Sequence, residues 1–146
     1  MLNFALCDDN YSAIDKLSKM LNSILISNNL KGQITFTSSS PDKLLNFVKH
    51  NPVHVLLLDI DLKSTKSGIE LAEQIRAIDK SVYIIFITGH FEFSLIAYKC
   101  KTFDFLAKPL TKERFEETIL RLYSDVFGDT SRYIRLDNNK TVIKED

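Results

Sequence analysis

Val53-His54-Val55-Leu56-Leu57-Leu58-Asp59-Ile60-Asp61 carries an apolar run that ends abruptly on acid. Residues 55–58 do not alternate apolar with polar, so a strand here is covered on both faces, as in a parallel sheet between helices. Residues 82–87, Val-Tyr-Ile-Ile-Phe-Ile, read the same way, and shorter apolar runs occupy 2–7, 34–37 and 103–106. Between the runs lie helical spacings. Ile14, Leu17, Leu21 and Leu25 recur three or four residues apart, with Lys16, Lys19 and Asn22 elsewhere. Ser40-Pro41, a cap and a first helical residue, precedes Leu44, Leu45 and Val48. Ser67-Gly68 precedes Ile69, Leu71, Ala72 and Ile75. A fourth helical stretch covers about 91–100. The fifth starts at Thr111 and runs through Phe115, Ile119 and Leu122. Five βα repeats predict an α/β fold, a doubly wound five-stranded parallel sheet flanked by five helices.

In such sheets a ligand binds beyond the carboxyl ends of the strands. The runs end in Cys7-Asp8-Asp9, Asp59-Ile60-Asp61, Thr88-Gly89 and Ala107-Lys108-Pro109. One rim therefore collects carboxylates, a hydroxyl and an ammonium. Clustered carboxylates demand a counter-charge, and a hard divalent cation with oxygen ligands is the natural one. Lys108 is a compact point charge suited to a phosphate oxygen, and Thr88 donates to another. This set fits phosphoryl transfer to a carboxylate, where positioning and charge neutralisation carry the chemistry. Asp59 ends the most apolar run, expected to be the central strand, and is the nucleophile candidate. Asp8, Asp9 and Asn10 also read as caps of the first helix, and Thr88-Gly89 as an ordinary turn.

The chain has 146 residues with 19 basic and 19 acidic side chains, so the formal net charge is zero. That balance argues against a free-standing nucleic-acid binder, although it leaves room for a small basic patch. Two cysteines, Cys7 and Cys100, are too few for a disulfide scaffold. No segment reaches the roughly 18 apolar residues of a bilayer span, and the start of the chain is not a signal peptide. A cytoplasmic domain without membrane attachment is expected. After Gly128 the pattern changes: residues 132–136 alternate, Asp137-Asn138-Asn139 signals a turn, and Thr141-Val142-Ile143 is strand-like.

Asp8-Asp9, Asp59, Thr88 and Lys108-Pro109, taken together, resemble the receiver domain of bacterial two-component response regulators. The resemblance covers residues 1–127 and implies a flavodoxin-like (CheY-like) fold. It implies that Asp59 accepts a phosphoryl group from a sensor histidine kinase. Asp8, Asp9, Asp59 and the backbone carbonyl of Asp61 would hold Mg²⁺ or Mn²⁺. Thr88 would be the switch hydroxyl and Phe105 the switch aromatic, where tyrosine is commoner. Lys108 would contact the acyl phosphate, and the Lys108–Pro109 peptide is expected to be cis. Such a domain is a phosphorylation-switched signalling module rather than an enzyme, at most phosphorylating and dephosphorylating itself.

The loop after Asp59 lacks the usual proline, and Gly68 comes nine residues on instead of eight. This spacing, Thr88-Gly-His90-Phe-Glu-Phe and the 102–109 stretch resemble the LytTR group, its accessory-gene-regulator branch in particular. Members carry a β-rich DNA-binding domain after the receiver. Residues 128–146 are accordingly expected to be a linker and the truncated start of that output domain, DNA being bound only through it. A surface of the fourth helical stretch, fifth strand and fifth helix is expected to support homodimerisation on phosphorylation. Its expected members are Ile96, Ala97, Tyr98, Lys99, Lys101, Arg114 and Glu117.

Two rivals share parts of the pattern. Asp59-Ile-Asp61 resembles the start of haloacid-dehalogenase-type phosphatases, but Lys63 stands where Thr or Val belongs. A flavodoxin-like FMN binder needs a phosphate loop after the first strand, where Asp8-Asp9 would repel the phosphate.

Overall fold

The computed structural model describes residues 1–62, 67–89 and 97–128. The described elements are β1 (Leu2–Cys7), α1 (Tyr11–Ser27), β2 (Gly32–Ser38), α2 (Pro41–His50), β3 (Val55–Leu58), α3 (Gly68–Ile78), β4 (Tyr83–Thr88), β5 (Thr102–Ala107) and α4 (Lys112–Phe127). All strands are parallel, in the order β2-β1-β3-β4-β5, so β3 is central. That is the flavodoxin-like order of a doubly wound sheet. Four α-helices, not five, stand among the described residues. Most of the helix expected over 91–100 lies outside them, and its described end is a 3-10 turn at Tyr98–Cys100. The strands expected after Gly128 also lie outside the described residues.

Local chemistry sets the helix starts. Ser40 accepts a hydrogen bond from the Lys43 amide with Pro41 in the first turn, and Thr111 accepts from Arg114. Ser67 and Glu70 form a reciprocal capping box. The unbroken apolar runs serve two cores at once. Ala5, Leu56, Leu58, Ile84 and Phe86 pack on one face with α2 and α3 residues such as Leu44, Leu71 and Ile75. Phe4, Leu6, Leu57, Ile85 and Ile87 pack on the other with Leu21 and Ile24 of α1 and Phe115, Ile119 and Leu122 of α4.

Two polar devices tie the second half of the domain together. The Arg76 guanidinium donates to the carbonyls of Asp79, Lys80, Val82, Cys100 and Lys101 at 2.7–3.3 Å. It thus joins the end of α3 to the turn before β5, where Lys101 takes a left-handed φ of 56°. The second device centres on Asp104 of β5. Its carboxylate accepts from Thr118 at 2.7 Å, Arg121 at 2.5 Å, Arg114 at 3.3 Å and the Phe105 amide at 2.8 Å.

Burial alone would raise the Asp104 carboxyl, but the Thr118 hydroxyl, the Phe105 amide and Arg114 hold it below the ordinary carboxylate range. A depressed folded-state pKa adds stability above the unfolded value, and that stability is lost as pH falls through the folded one. Arg114 and Arg121 are 43% and 51% exposed, so most of the contribution comes from the bond to fully buried Thr118. Asp104→Asn is expected to cost about 1–3 kcal/mol at pH 7 in a urea melt. The deficit should shrink below about pH 4; a deficit that is independent of pH would sink this account.

Candidate functional site

The register brings the strand ends level. Cys7 pairs with Leu58, Leu58 with Phe86, and Phe86 with Phe105. One residue beyond the first pair, Asp8 and Asp59 emerge side by side, and the Asp59 amide donates to the Cys7 carbonyl at 3.1 Å. Thr88 pairs with Ala107, and the Lys108 amide donates to the Thr88 carbonyl at 2.9 Å. The Lys108–Pro109 peptide is cis. An open cleft of about 530 Å³ lies above these ends, lined by Asp9, Asn10, Tyr11, Asp59, Asp61, Gly89 and Lys108.

Asp8 and Asp59 are 6% and 7% exposed, unusual for carboxylates unless they are paired. The Lys108 ammonium bridges them, 2.6 Å from Asp8 Oδ2 and 3.1 Å from Asp59 Oδ2. Their other oxygens accept from the backbone: Asp8 Oδ1 from the Asn10 amide at 3.0 Å, Asp59 Oδ1 from the Asp61 amide at 3.1 Å. One carboxylate oxygen each of Asp8, Asp9 and Asp59 lies within 4.8 Å of the others. Such an all-oxygen acidic donor set fits a hard divalent cation such as Mg²⁺.

Burial raises the Asp8 carboxyl, and Asp59 adds to this, against the pull of Lys108 and the Asn10 amide. Burial would lower Lys108, but its bonds to Asp8 and Asp59 outweigh that and raise it, so the ammonium stays charged. The Cys7 thiol is pushed up to about 12 by burial and then by Asp8, Asp59 and Asp9. It is therefore protonated at neutral pH and no nucleophile, in keeping with its role as a small core residue.

Asn10, not Asp8 or Asp9, caps α1: its side chain accepts from the Ser12 and Ala13 amides. Asp9 is thereby left to the cleft and Asp8 to Lys108. Thr88 is fully buried at its strand end, and half-buried Phe105 packs against Phe86 with ring centroids 6.0 Å apart. Among the residues expected on the outer face, Ala97 is buried instead, because it joins the core with Cys100. Tyr98, Lys99, Lys101, Arg114 and Glu117 are exposed, and Ile96 lies outside the described residues.

One residue of the site is visible in sequence as a helix start and by its spacing from Asp59, but not by what it makes room for. Gly68 opens α3 directly under the Asp59 loop, its amide donating to the Ile60 carbonyl at 2.8 Å. A Cβ there would stand 2.1 Å from the Asp59 carbonyl oxygen and 2.8 Å from Ile60 Cα.

Comparison with known proteins follows this geometry. The family model of the response regulator receiver domain matches residues 4–120. "Sensory transduction protein LytR" of Staphylococcus epidermidis is 32% identical over 91 residues, covering 62% of this chain and 35% of that protein. "Transcriptional regulatory protein NatR" of Bacillus subtilis is 29% identical over 114 residues, covering 78% of this chain and 46% of that protein. Both are LytTR-type regulators. The chain thus spans less than half the length of these curated relatives. The crystal structure of the response regulatory domain of protein MrkE from Klebsiella pneumoniae superposes with a TM-score of 0.77 at 24% identity, covering 85% of this chain and 97% of that one.

Proposed function

Because the chain belongs to the response regulator receiver domain family, we propose that Asp59 is its phosphoacceptor, charged by a sensor histidine kinase. The observation that carries this reading is the Lys108 ammonium bridging buried Asp8 and Asp59 at 2.6 and 3.1 Å. An oxygen of Asp59 attacks the phosphorus, the bond from phosphorus to the donor imidazole nitrogen breaks, and the imidazole takes a proton from water. Lys108 holds an oxygen of the phosphoryl group throughout. Asp8, Asp9 and Asp59, with the Asp61 carbonyl, would hold Mg²⁺ or Mn²⁺, which when bound neutralises charge on the transferring group. A second cleft of about 270 Å³, lined by Leu17, Met20, Ile87 and Leu110 together with Asp8, Lys16 and Lys108, supplies a mixed apolar and charged seat for the donor.

Phosphorylation replaces a carboxylate with a roughly dianionic group. Thr88 then turns its hydroxyl toward the new oxygens, and Phe105 repacks behind it. The change reaches β5 and α4, where Asp104, Arg114 and Arg121 are already linked, and promotes pairing of two copies across this face. The longer protein reads the switch out through a DNA-binding output domain following residue 128, in the cytoplasm. The test is incubation with acetyl phosphate and Mg²⁺ followed by intact mass. One phosphoryl group per chain is expected, and none when a chelator is present. Labelling that persists in the chelator would defeat the metal-dependent reading.

A further inference from the structure

At the end of the sheet opposite the acidic cleft, three exposed lysines gather. Lys80 precedes β4, and Lys99 and Lys101 precede β5, with the side chain of Tyr98 77% exposed beside them. Arg76 draws these two segments together, donating to the carbonyls of Lys80 at 3.0 Å, Cys100 at 2.9 Å and Lys101 at 3.1 Å. None of the ion pairs found among the described residues involves Lys80, Lys99 or Lys101. Two acids stand by them, Asp79, whose Oδ1 accepts from the amides of Ser81 and Val82 and the Ser81 hydroxyl, and Glu73, whose charge reaches Cys100; the three lysines and Arg76 outnumber them. The chain as a whole is neutral, so this local excess of positive charge is a feature of one place.

We propose that this patch binds the phosphate backbone of DNA. Lysine is a compact point charge suited to phosphate oxygens, and tyrosine hydroxyls commonly join such contacts. The position agrees as well. Tyr83, at the start of β4, donates to Asp125 near the end of α4 at 2.7 Å, so the chain leaves the domain at this same end. The described chain thus ends, at Gly128, at the same end of the sheet as the lysines. The inference rests on the reading that the longer protein acts on DNA, and it gives the receiver a sequence-independent share of that binding.

The test is a titration of the isotope-labelled 146-residue chain with a short random-sequence DNA duplex at low salt, followed by amide resonances. A polyglutamate of matched charge and a dilution series without ligand run in parallel. Shifts are expected at residues 79–82 and 98–102 with the duplex alone. Three lysines imply a slope of about −3 in log affinity against log salt. The combined Lys80→Gln, Lys99→Gln, Lys101→Gln variant is expected to bind about tenfold or more weakly, while taking phosphate from acetyl phosphate as the unaltered chain does. Equal shifts with polyglutamate would assign the patch to an acidic protein. Shifts that follow chain concentration alone would assign it to self-association, and undiminished binding by the variant would remove it from DNA contact. Any of the three overturns the proposal. Acetyl phosphate labelling of the same samples shows separately whether the phosphoacceptor reading stands.

Discussion

Asp59→Asn is expected to take up no phosphate from acetyl phosphate and Mg²⁺, under conditions where the unaltered chain gains one group. The amide is nearly isosteric but offers no anionic oxygen to the phosphorus, and no neighbour stands in for it. Asp8 is held more tightly by Lys108 than Asp59 is, at 2.6 Å against 3.1 Å, which makes it the poorer nucleophile of the two. The substitution should not unfold the protein. It removes one of two buried carboxylates and leaves Lys108 its shorter bond, so repulsion at the site falls. A urea melt is expected to place the variant within about 1 kcal/mol of the unaltered chain, or above it. Intact mass gives the labelling directly. Full labelling of a folded Asp59→Asn would transfer the chemistry to Asp8, Asp9 or Asp61 and end the present assignment.

Gly68→Ala is expected to be the most damaging small substitution in the domain. Its methyl group would meet backbone on every near side: the Asp59 oxygen at 2.1 Å, Ile60 Cα at 2.8 Å and the Asp59 carbonyl carbon at 2.9 Å. No rotamer relieves such contacts, so either α3 backs away or the Asp59 loop lifts. The first choice breaks the bond from Gly68 to Ile60 and strains the Ser67–Glu70 capping box; the second moves the phosphoacceptor itself. A loss of about 2–4 kcal/mol is expected, at or beyond the upper range for overpacking, together with slowed labelling from acetyl phosphate. Gly89→Ala is the stability control, since nothing lies within 4 Å of a Cβ there. It should fall within about 0.5 kcal/mol of the unaltered chain. Equal melting of both variants would show that the loop yields freely and that Gly68 is not required.

Features written in neighbouring residues were legible in the sequence. The Ser40, Ser67 and Thr111 caps work over three residues, and β1 coincides with its apolar run. The rim of Asp8, Asp59, Thr88 and Lys108 was legible because parallel strands of similar register must end together. Asn10 was ambiguous with Asp8 and Asp9 because all three side chains cap helices equally well, and only the direction of each side chain separates them. Arg76 was illegible. Its five acceptors are carbonyls, which every residue type carries, and two of them lie more than twenty residues away. Asp104 likewise reads as an exposed charge until Thr118 and Arg121, a helix away, are brought over it. Gly68 announced a helix start and a spacing from Asp59, but a missing side chain leaves no trace of what it makes room for.

The Arg76 clamp has a mechanical consequence. Five bonds pin the far ends of α3 and β5 to one point, while their near ends border the acidic cleft. β5 stands at the sheet edge, laddered to β4 alone, and the clamp adds a second tie at its base. The guanidinium is therefore a shared foot for α3, β4 and β5, placed at the far end from the cleft.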